Sequence, residues 1–345
     1  MPIPLDKILI IRRDNIGDLL CTTPMIHALR EQYPASQITV LANSYNAPVL
    51  KNNPDINEVV AYTKAKHSNS GRLRAWRQEL SLFWRLRRNN FDLIIHANPT
   101  PHPRTARLVR FIGAPYRLGV VNQQTPYRSY NIAISHEQIR GRHHVEQVFS
   151  LLAPLEITGQ PGPMVLISDA TPTRSPPTQS NHKPIIGLHL SSRRPCNRWP
   201  EESYAQLIAE LIQRGYRLHL FWAPGSQHNQ QHPGDDELAA RLEHRFQECV
   251  TLQKTATLSD LITALDRVDA VICPDGGTLH IAAALQKPVV ALFGCTDADT
   301  WGPWHTKKTI LHGHGSANKI TPESALTAIL ALFAPATTPP ALPAY

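Results

Sequence analysis

The chain has 345 residues, 42% hydrophobic and 18% charged, enough for two cores of ordinary size and of a composition suited to a soluble globular protein. No apolar run approaches the roughly 20 residues that span a bilayer, and residues 1–7 lack the apolar h-region and cleavage site of a signal peptide; a cytoplasmic protein is expected. The formal charge of +8 favours an acidic partner without deciding among nucleic acid, membrane and anionic substrate. Cys21, Cys196, Cys249, Cys273 and Cys295 lie far apart with no CxxC pair. Neither a zinc knuckle nor a disulfide framework is indicated, and the thiols are read as reduced and mostly buried.

Residues 7–12 (KILIIR) are an apolar run that predicts a strand. Asp14-Asn15-Ile16-Gly17-Asp18 is a polar turn, and residues 19–32 have the spacing of an amphipathic helix closed by Tyr33-Pro34. Strand-like segments follow at 37–41, 58–62 and 91–96, separated by helical or polar connections, the alternation of a parallel doubly wound sheet. Between residues 64 and 117 basic side chains outnumber acidic ones, with Lys64, Lys66, Arg72, Arg74 and Arg77 at the start and only Glu79 and Asp92 against the whole run. Leu73, Trp76, Leu80, Phe83 and Trp84 share that stretch at helical spacing. It reads either as a solvated helix face or as a docking surface for a phosphorylated or carboxylated acceptor at a membrane. No recognised DNA or RNA module accompanies the charge.

Residues 155–184 turn rich in Pro, Thr and Ser, as an exposed linker does. This places a first domain at 1–160, the linker at 161–183 and a second domain at 184–333. There the alternation restarts with a strand at 184–190, a helix at 203–214 closed by Gly215, a strand at 216–222 and helices at 235–245 and 258–268. Residues 271–304, VICPDGGTLHIAAALQKPVVALFGCTDADTWGPW, begin as strand, polar turn, helix and strand. A helix at 323–333 precedes a tail, 334–345, whose Pro and Ala content predicts disorder. The fold class is α/β, with two Rossmann-like doubly wound domains facing a central cleft.

A polar turn at a strand's C-terminal end is where an open parallel sheet binds ligands, because the following helix presents unpaired N–H groups and a positive dipole end to anions. Asp275, Gly276, Gly277, Thr278 and His280 are grouped at such a turn, and the glycines let backbone approach a phosphate closely. Asp275 alone equally suits an Asx turn, and His280 alone a structural role; the grouping points to function. Ser191, Ser192, Arg193, Arg194, Asn197 and Arg198 follow the second domain's first strand. Hydroxyls and arginines there suit a diphosphate clamp, against the plainer reading of a solvated loop pinned by Trp199. Asp18 is either a capping carboxylate or, facing a cleft, a general base. The first turn is not GxGxxG, which disfavours a nicotinamide dehydrogenase. Asp297-Ala298-Asp299 reads as a turn rather than a metal-binding pair. His143-His144 and His312-Gly313-His314 lack partners at zinc spacing and read as surface histidines; no metal or other cofactor is expected.

Three stretches carry a family likeness: ILIIRRDNIGDLLCTTPMIHALREQYP at residues 8–34, NRWPEESYAQL at 197–207, and PDGGTLHIAAALQKPVVALFG at 274–294 with its WGPW echo. Together they resemble the heptosyltransferase family, glycosyltransferases that move heptose from ADP-heptose onto the lipopolysaccharide inner core. The resemblance implies a GT-B architecture over residues 3–333. It implies that Asp18 deprotonates the acceptor hydroxyl in an inverting displacement, and that Asp275, Gly276, Gly277 and His280 hold the donor's diphosphate and sugar without a metal. The sequence departs from the family in three places. Asn197 stands where many members have a Lys contacting the donor phosphates, leaving Arg193, Arg194 or Arg198 to supply charge. Gly294-Cys295-Thr296 replaces Gly-Pro-Thr, and residues 223–227 (APGSQ) lack the common acidic residue.

The resulting expectation is a metal-independent inverting glycosyltransferase using ADP-heptose and a lipid A–Kdo type inner-core acceptor. It would work at the cytoplasmic face of the inner membrane, with Lys64, Lys66, Arg72, Arg74 and Arg77 meeting the acidic glycolipid. Alternatives kept open are a different nucleotide sugar or acceptor, a GT-B sugar-nucleotide epimerase acting on donor alone, and a sugar-nucleotide-binding scaffold without catalysis. Nucleic acid is not an expected partner.

Overall fold

The computed structural model describes residues 4–62, 72–122, 127–169, 183–228 and 234–334, with backbone only at 72–76 and 127. Lys64, Lys66, most of the expected linker and nearly all of the expected tail lie outside the described residues. The first half builds one sheet from β1 Lys7–Ile11, β2 Gln37–Asn43, β3 Glu58–Tyr62, β4 Leu93–His96, β5 Tyr116–Val121 and β6 Ile132–Ser135. The second builds another from β7 Ile185–His189, β8 Arg217–Phe221, β9 Val250–Leu252, β10 Ala270–Pro274, β11 Val289–Phe293 and β12 Lys308–His312. The orders are β3-β2-β1-β4-β5-β6 and β12-β11-β10-β7-β8-β9, and every pairing is parallel. Counted from the start of each half, both are 3-2-1-4-5-6, the doubly wound order. Each sheet therefore has a switch point, between β1 and β4 and between β7 and β10.

The central strands form because their apolar runs are unbroken: parallel strands covered by helices on both faces have no solvent side to alternate toward. All of β7, β10 and β11 is buried, as is β1 after Lys7. The four strands not picked out from the sequence, β5, β6, β9 and β12, lie at or next to sheet edges, where that pattern weakens.

The helices are α1 Ile16–Leu20, α2 Thr23–Gln32, α3 Arg72–Arg88, α4 Pro103–Ile112, α5 His136–Ile139, α6 His144–Phe149, α7 Glu201–Gln213, α8 Asp236–Phe246, α9 Leu258–Asp266, α10 Gly277–Ala284, α11 Ala298–Trp301 and α12 Pro322–Phe333. The single helix expected at 19–32 is thus two. Thr22 Oγ1 donates to the Asp18 carbonyl at 2.9 Å and Thr23 Oγ1 to that of Leu20 at 2.7 Å, and Pro24 has no N–H to continue the ladder. The break leaves α1 a short element that carries Asp18 at the mouth of β1.

The segment expected as an exposed linker begins packed. Met164 and Leu166 are buried, Val165 N donates to Thr23 Oγ1 at 2.8 Å, and Trp304 Nε1 donates to the Gly162 carbonyl at 2.9 Å. Burying the alternate side chains Met164 and Leu166 of this run outweighs the tendency of its neighbouring prolines toward exposed loop. One apolar cluster crosses between the halves, joining Ile8, Ile10, Leu19 and Leu20 with Leu279, Ile281 and Phe293. Replacing Ile10 by Ala is expected to cost about 2–5 kcal/mol as transfer and cavity terms add. Val59→Ala, on the half-buried edge strand β3, should cost less, and guanidinium unfolding midpoints compare the two.

Candidate active site

Where β1 ends, Arg12 turns inward and is 1% exposed. Its Nη1 donates to the Ala97 carbonyl just past β4, so the guanidinium bridges the two strands at the first switch point. Nη2 donates to Asp18 Oδ1 at 2.6 Å and to His144 Nε2 at 2.8 Å, and Nε lies 3.2 Å from Asp14 Oδ2. The other Asp18 oxygen accepts from Asn15 N at 3.0 Å and Asn15 Nδ2 at 2.9 Å, closing a capping box on α1. Asp18 is thus a cap and a cleft carboxylate at once. Burial alone would raise its pKa; Arg12, with the Asn15 donors, overrides burial and holds the carboxyl below the ordinary range. Burial, then Arg12, pushes His144 down, so the imidazole is neutral and accepts through Nε2.

The second half faces this wall directly. A methyl added at Gly17 would run into the His280 ring, and one at Gly277 would lie 3.3 Å from Ile16. The missing side chain of Gly277 therefore makes room for α1 rather than for a phosphate. Gly276 differs: its extended backbone suits any residue, and a methyl there would meet nothing within 4 Å, so the helix start of α10 opens onto space. His280 is buried against Cys21, with Nδ1 3.8 Å from the thiol sulfur, and edge-on to Trp301. Trp301 stacks on His144 with centroids 4.2 Å apart and planes 22° apart. Beside it His143 stacks on Trp304 at 4.5 Å, its Nε2 2.9 Å from the Gly302 carbonyl. The surface reading of His143-His144 is corrected here: the pair clasps the WGPW segment of the opposite half, and His144 is buried.

The two loops after β7 and β10 form the other wall. Ser192 Oγ donates to the Asp275 carbonyl at 3.2 Å, while Ser191 Oγ accepts from Ala223 N at 2.8 Å and steadies the loop behind. Asn197 is fully buried. Its Nδ2 donates to Asp275 Oδ2 at 3.1 Å and Thr296 Oγ1 at 2.6 Å, and its Oδ1 accepts from the backbone of Gly294 and Cys295. Thr278 is buried at the start of α10. Burial raises Asp275's pKa against the pull of Thr296, Arg194 and Asn197. Arg198 donates to the Ser192 carbonyl and pairs with Asp235 at 3.3 Å, so it is engaged within the loop. Arg193 and Arg194 are exposed, and Arg193 reaches across to Asn15 Oδ1 at 3.4 Å. The expectation of reduced thiols fails at Cys196 and Cys295, which are joined as a disulfide between the loop after β7 and the loop after β11. The two are 99 residues apart in the chain, a pairing no local spacing announces. Asp297 caps α11, accepting from Asp299 N, consistent with the turn reading. Among the described residues no group of three or more His, Cys, Asp or Glu is gathered as metal ligands would be.

Of the basic stretch, Arg72 and Arg74 lie in the first turn of α3 and Arg77 is exposed on it. Leu86 is buried and Leu82 and Phe83 pack partly inward, while Arg85, Arg87 and Arg88 are exposed beside Trp84, itself 51% exposed. Arg13, next to the turn that leads to Asp18, reaches Glu79 at 3.5 Å, which sets α3 beside that turn.

Residues 79–327 match the family model for glycosyltransferase family 9 (heptosyltransferase). Lipopolysaccharide heptosyltransferase 3 of Escherichia coli strain K12 is 28% identical over 320 residues, covering 88% of this chain and 87% of that protein. Among solved structures, the glycosyl transferase family 9 protein from Veillonella parvula DSM 2008 superposes with a TM-score of 0.77 at 21% identity, covering 96% of this chain and 98% of that one. The E. coli ADP-heptose lps heptosyltransferase II superposes with a TM-score of 0.73 at 23% identity, covering 94% and 98%.

Burial pushes His96 down to about 3 and His189 and His280 down to about 4. All three stay neutral in the folded protein through a range where the unfolded chain takes up protons near pH 6.5. The unfolded state then binds more protons, so stability is complete above about pH 6.5 and lost as pH falls toward 4, by about 1.4 kcal/mol per pH unit per histidine. Thermal unfolding midpoints are expected to fall steeply between about pH 7 and pH 5.

Proposed function

Because the chain belongs to glycosyltransferase family 9, the heptosyltransferases, and is a glycosyltransferase, we propose that it transfers heptose from ADP-heptose to a hydroxyl of the lipopolysaccharide inner core. Residues 1–160 would serve the acceptor and 184–333 the donor. One observation supports this reading: α1, which carries Asp18, packs against α10, with Gly17 against His280 and Gly277 against Ile16, the α10 start at Gly276 is open, and Arg193 reaches from the donor-side loop to Asn15 Oδ1.

The donor diphosphate sits at the α10 N-terminus, where unpaired N–H groups and the dipole favour it. Arg193 and Arg194 supply the charge, since Arg198 is held by Asp235 and Asn197 is neutral and engaged with Asp275 and Thr296. The acceptor oxygen attacks the anomeric carbon from the Asp18 side as the bond to the diphosphate breaks, and ADP departs with the bonding electrons. The acceptor proton passes to Asp18. A carboxylate of low basicity suffices because the hydroxyl becomes acidic only as its oxygen bonds to carbon. Growing negative charge on the leaving diphosphate is met by groups already oriented toward it.

Among the described residues no helix is long and apolar enough to cross a membrane. The arginines of α3 and its exposed Trp84 suit peripheral contact with an anionic lipid surface, at the cytoplasmic face of the inner membrane, and with the acidic acceptor. Asp18→Asn is expected to lower kcat by about 10²–10⁴-fold while ADP binding, followed by calorimetry, stays intact; a preference for UDP or GDP over ADP would overturn the donor assignment. Charge reversal at Arg72, Arg74 and Arg77 together is expected to raise acceptor KM and leave ADP affinity unchanged, and steady-state kinetics with unchanged acceptor KM would remove the docking role.

A further inference from the structure

Beyond these roles, we propose that His144 and Trp301 are a positioning pair across the cleft, through which the donor-side loop sets the aim of the Asp18 carboxylate. The inference rests on Asp18 being the base, and it concerns two residues that reach the reaction only through others.

The path is continuous. Asn197 ties Asp275 to Thr296, and Asp297 caps α11, whose last residue is Trp301. The indole stacks on His144, the first residue of α6, at 4.2 Å. The imidazole Nε2 accepts from Arg12 Nη2, the same nitrogen that donates to Asp18 Oδ1. A guanidinium Nη carries two protons. One goes to the carboxylate and one to the imidazole, so His144, together with the Ala97 carbonyl on Nη1, holds the orientation of the guanidinium and with it the direction of the bond to Oδ1. His144 Nε2 stands 3.4 Å from that oxygen but, as the acceptor from Arg12, has no proton to give it.

Stacking brings the indole onto the imidazole face and leaves the edge that meets Arg12 undisturbed. His143 holds the same segment through the Gly302 carbonyl and Trp304, so α6 as a whole is seated on the donor half. A shift of the 294–301 loop when the donor is bound or released would therefore be felt at Arg12 before any acceptor enters. On this reading nucleotide binding involves the Asn197–Asp275 end of the path and not the His144–Trp301 stack or the Arg12–His144 bond.

Four variants separate the parts. His144→Phe keeps a ring for Trp301 and removes the acceptor, and His144→Gln keeps an acceptor and removes the ring. Trp301→Ala removes the stack, and Trp301→Phe restores a ring. His144→Phe and Trp301→Ala are each expected to lower kcat about 10- to 100-fold, the scale of a reacting group misplaced by about 1 Å, with ADP affinity and donor KM unchanged. Trp301→Phe should recover most of the loss, and His144→Gln should lie between His144→Phe and wild type. Combining His144→Phe with Trp301→Ala should be no worse than the poorer single change, since both cut one path. Thermal midpoints and ADP titration of each variant accompany the kinetics. Wild-type kcat in His144→Phe, equal kcat in Trp301→Phe and Trp301→Ala, or losses that track ADP affinity would overturn the pair. Failure of the wild type to turn over ADP-heptose and acceptor would overturn the transfer reading itself, whereas a dead Asp18→Asn beside a fully active His144→Phe would overturn only the positioning role.

Discussion

The burial of Arg12 is the constraint on which the first wall depends. A guanidinium removed from water costs several kcal/mol unless its charge is met and its donors are bonded, and here Asp14 after β1 and Asp18 on α1 meet the charge while Asp18, the Ala97 carbonyl past β4 and His144 at the start of α6 accept from its two Nη nitrogens. Satisfying one side chain therefore fixes the relative placement of two strands and two helices. The same contacts decide protonation. Asp18 stays ionised despite its burial because Arg12 stands beside it, and His144 stays neutral although a carboxylate lies nearby because burial, and then Arg12, disfavours its charge.

The second wall is built by different means. Its loops approach so closely that a methyl on Gly294 would strike the Cys196 carbonyl, and the buried Asn197 amide satisfies both loops at once. Two of the chain's departures from its family, Asn197 and Cys295, meet in this one contact, with Cys196 bonded to Cys295. A lysine in the conformation of Asn197 would put its charge where Gly294 and Cys295 present N–H donors, so the neutral residue and the altered loop fit each other. Near the third departure, at residues 223–227, Asp236 turns back from the start of α8 to accept from Gly225 N and Trp222 Nε1. That loop is tied by a carboxylate that stands outside it in sequence.

Much of this architecture is legible in the linear chain. Strands buried on both faces must be continuously apolar, and the runs at KILII, LIIH, AVICP and VVALF carry that requirement locally. Turn chemistry and helix spacing place Asp18, the Ser191-Ser192 loop and the Asp275-Gly276-Gly277 turn at strand ends, where a doubly wound sheet binds ligands. The division of α1 from α2 was less visible, because threonine side chains competing for backbone carbonyls leave the apolar spacing of 19–32 intact.

What the sequence by itself determined is the order of elements, the α/β class, the family motifs and the residues offered at each strand end, since these depend on neighbours a few positions apart. Only the tertiary structure decided what those residues face. Arg12 looked like the polar end of a strand, His143-His144 like surface histidines and Trp301 like part of a motif's echo. Arg12 and His144 are 132 residues apart, and Trp301 belongs to the opposite half of the chain. The Arg12–His144 contact and the disulfide follow from how each half folds, and the His144–Trp301 stack and the occupation of Gly277's space by Ile16 from how the two halves pack. A periodic pattern records which side of an element is apolar; it holds no record of which distant polar group will be brought against a buried charge, and that group is what sets the chemistry of the cleft.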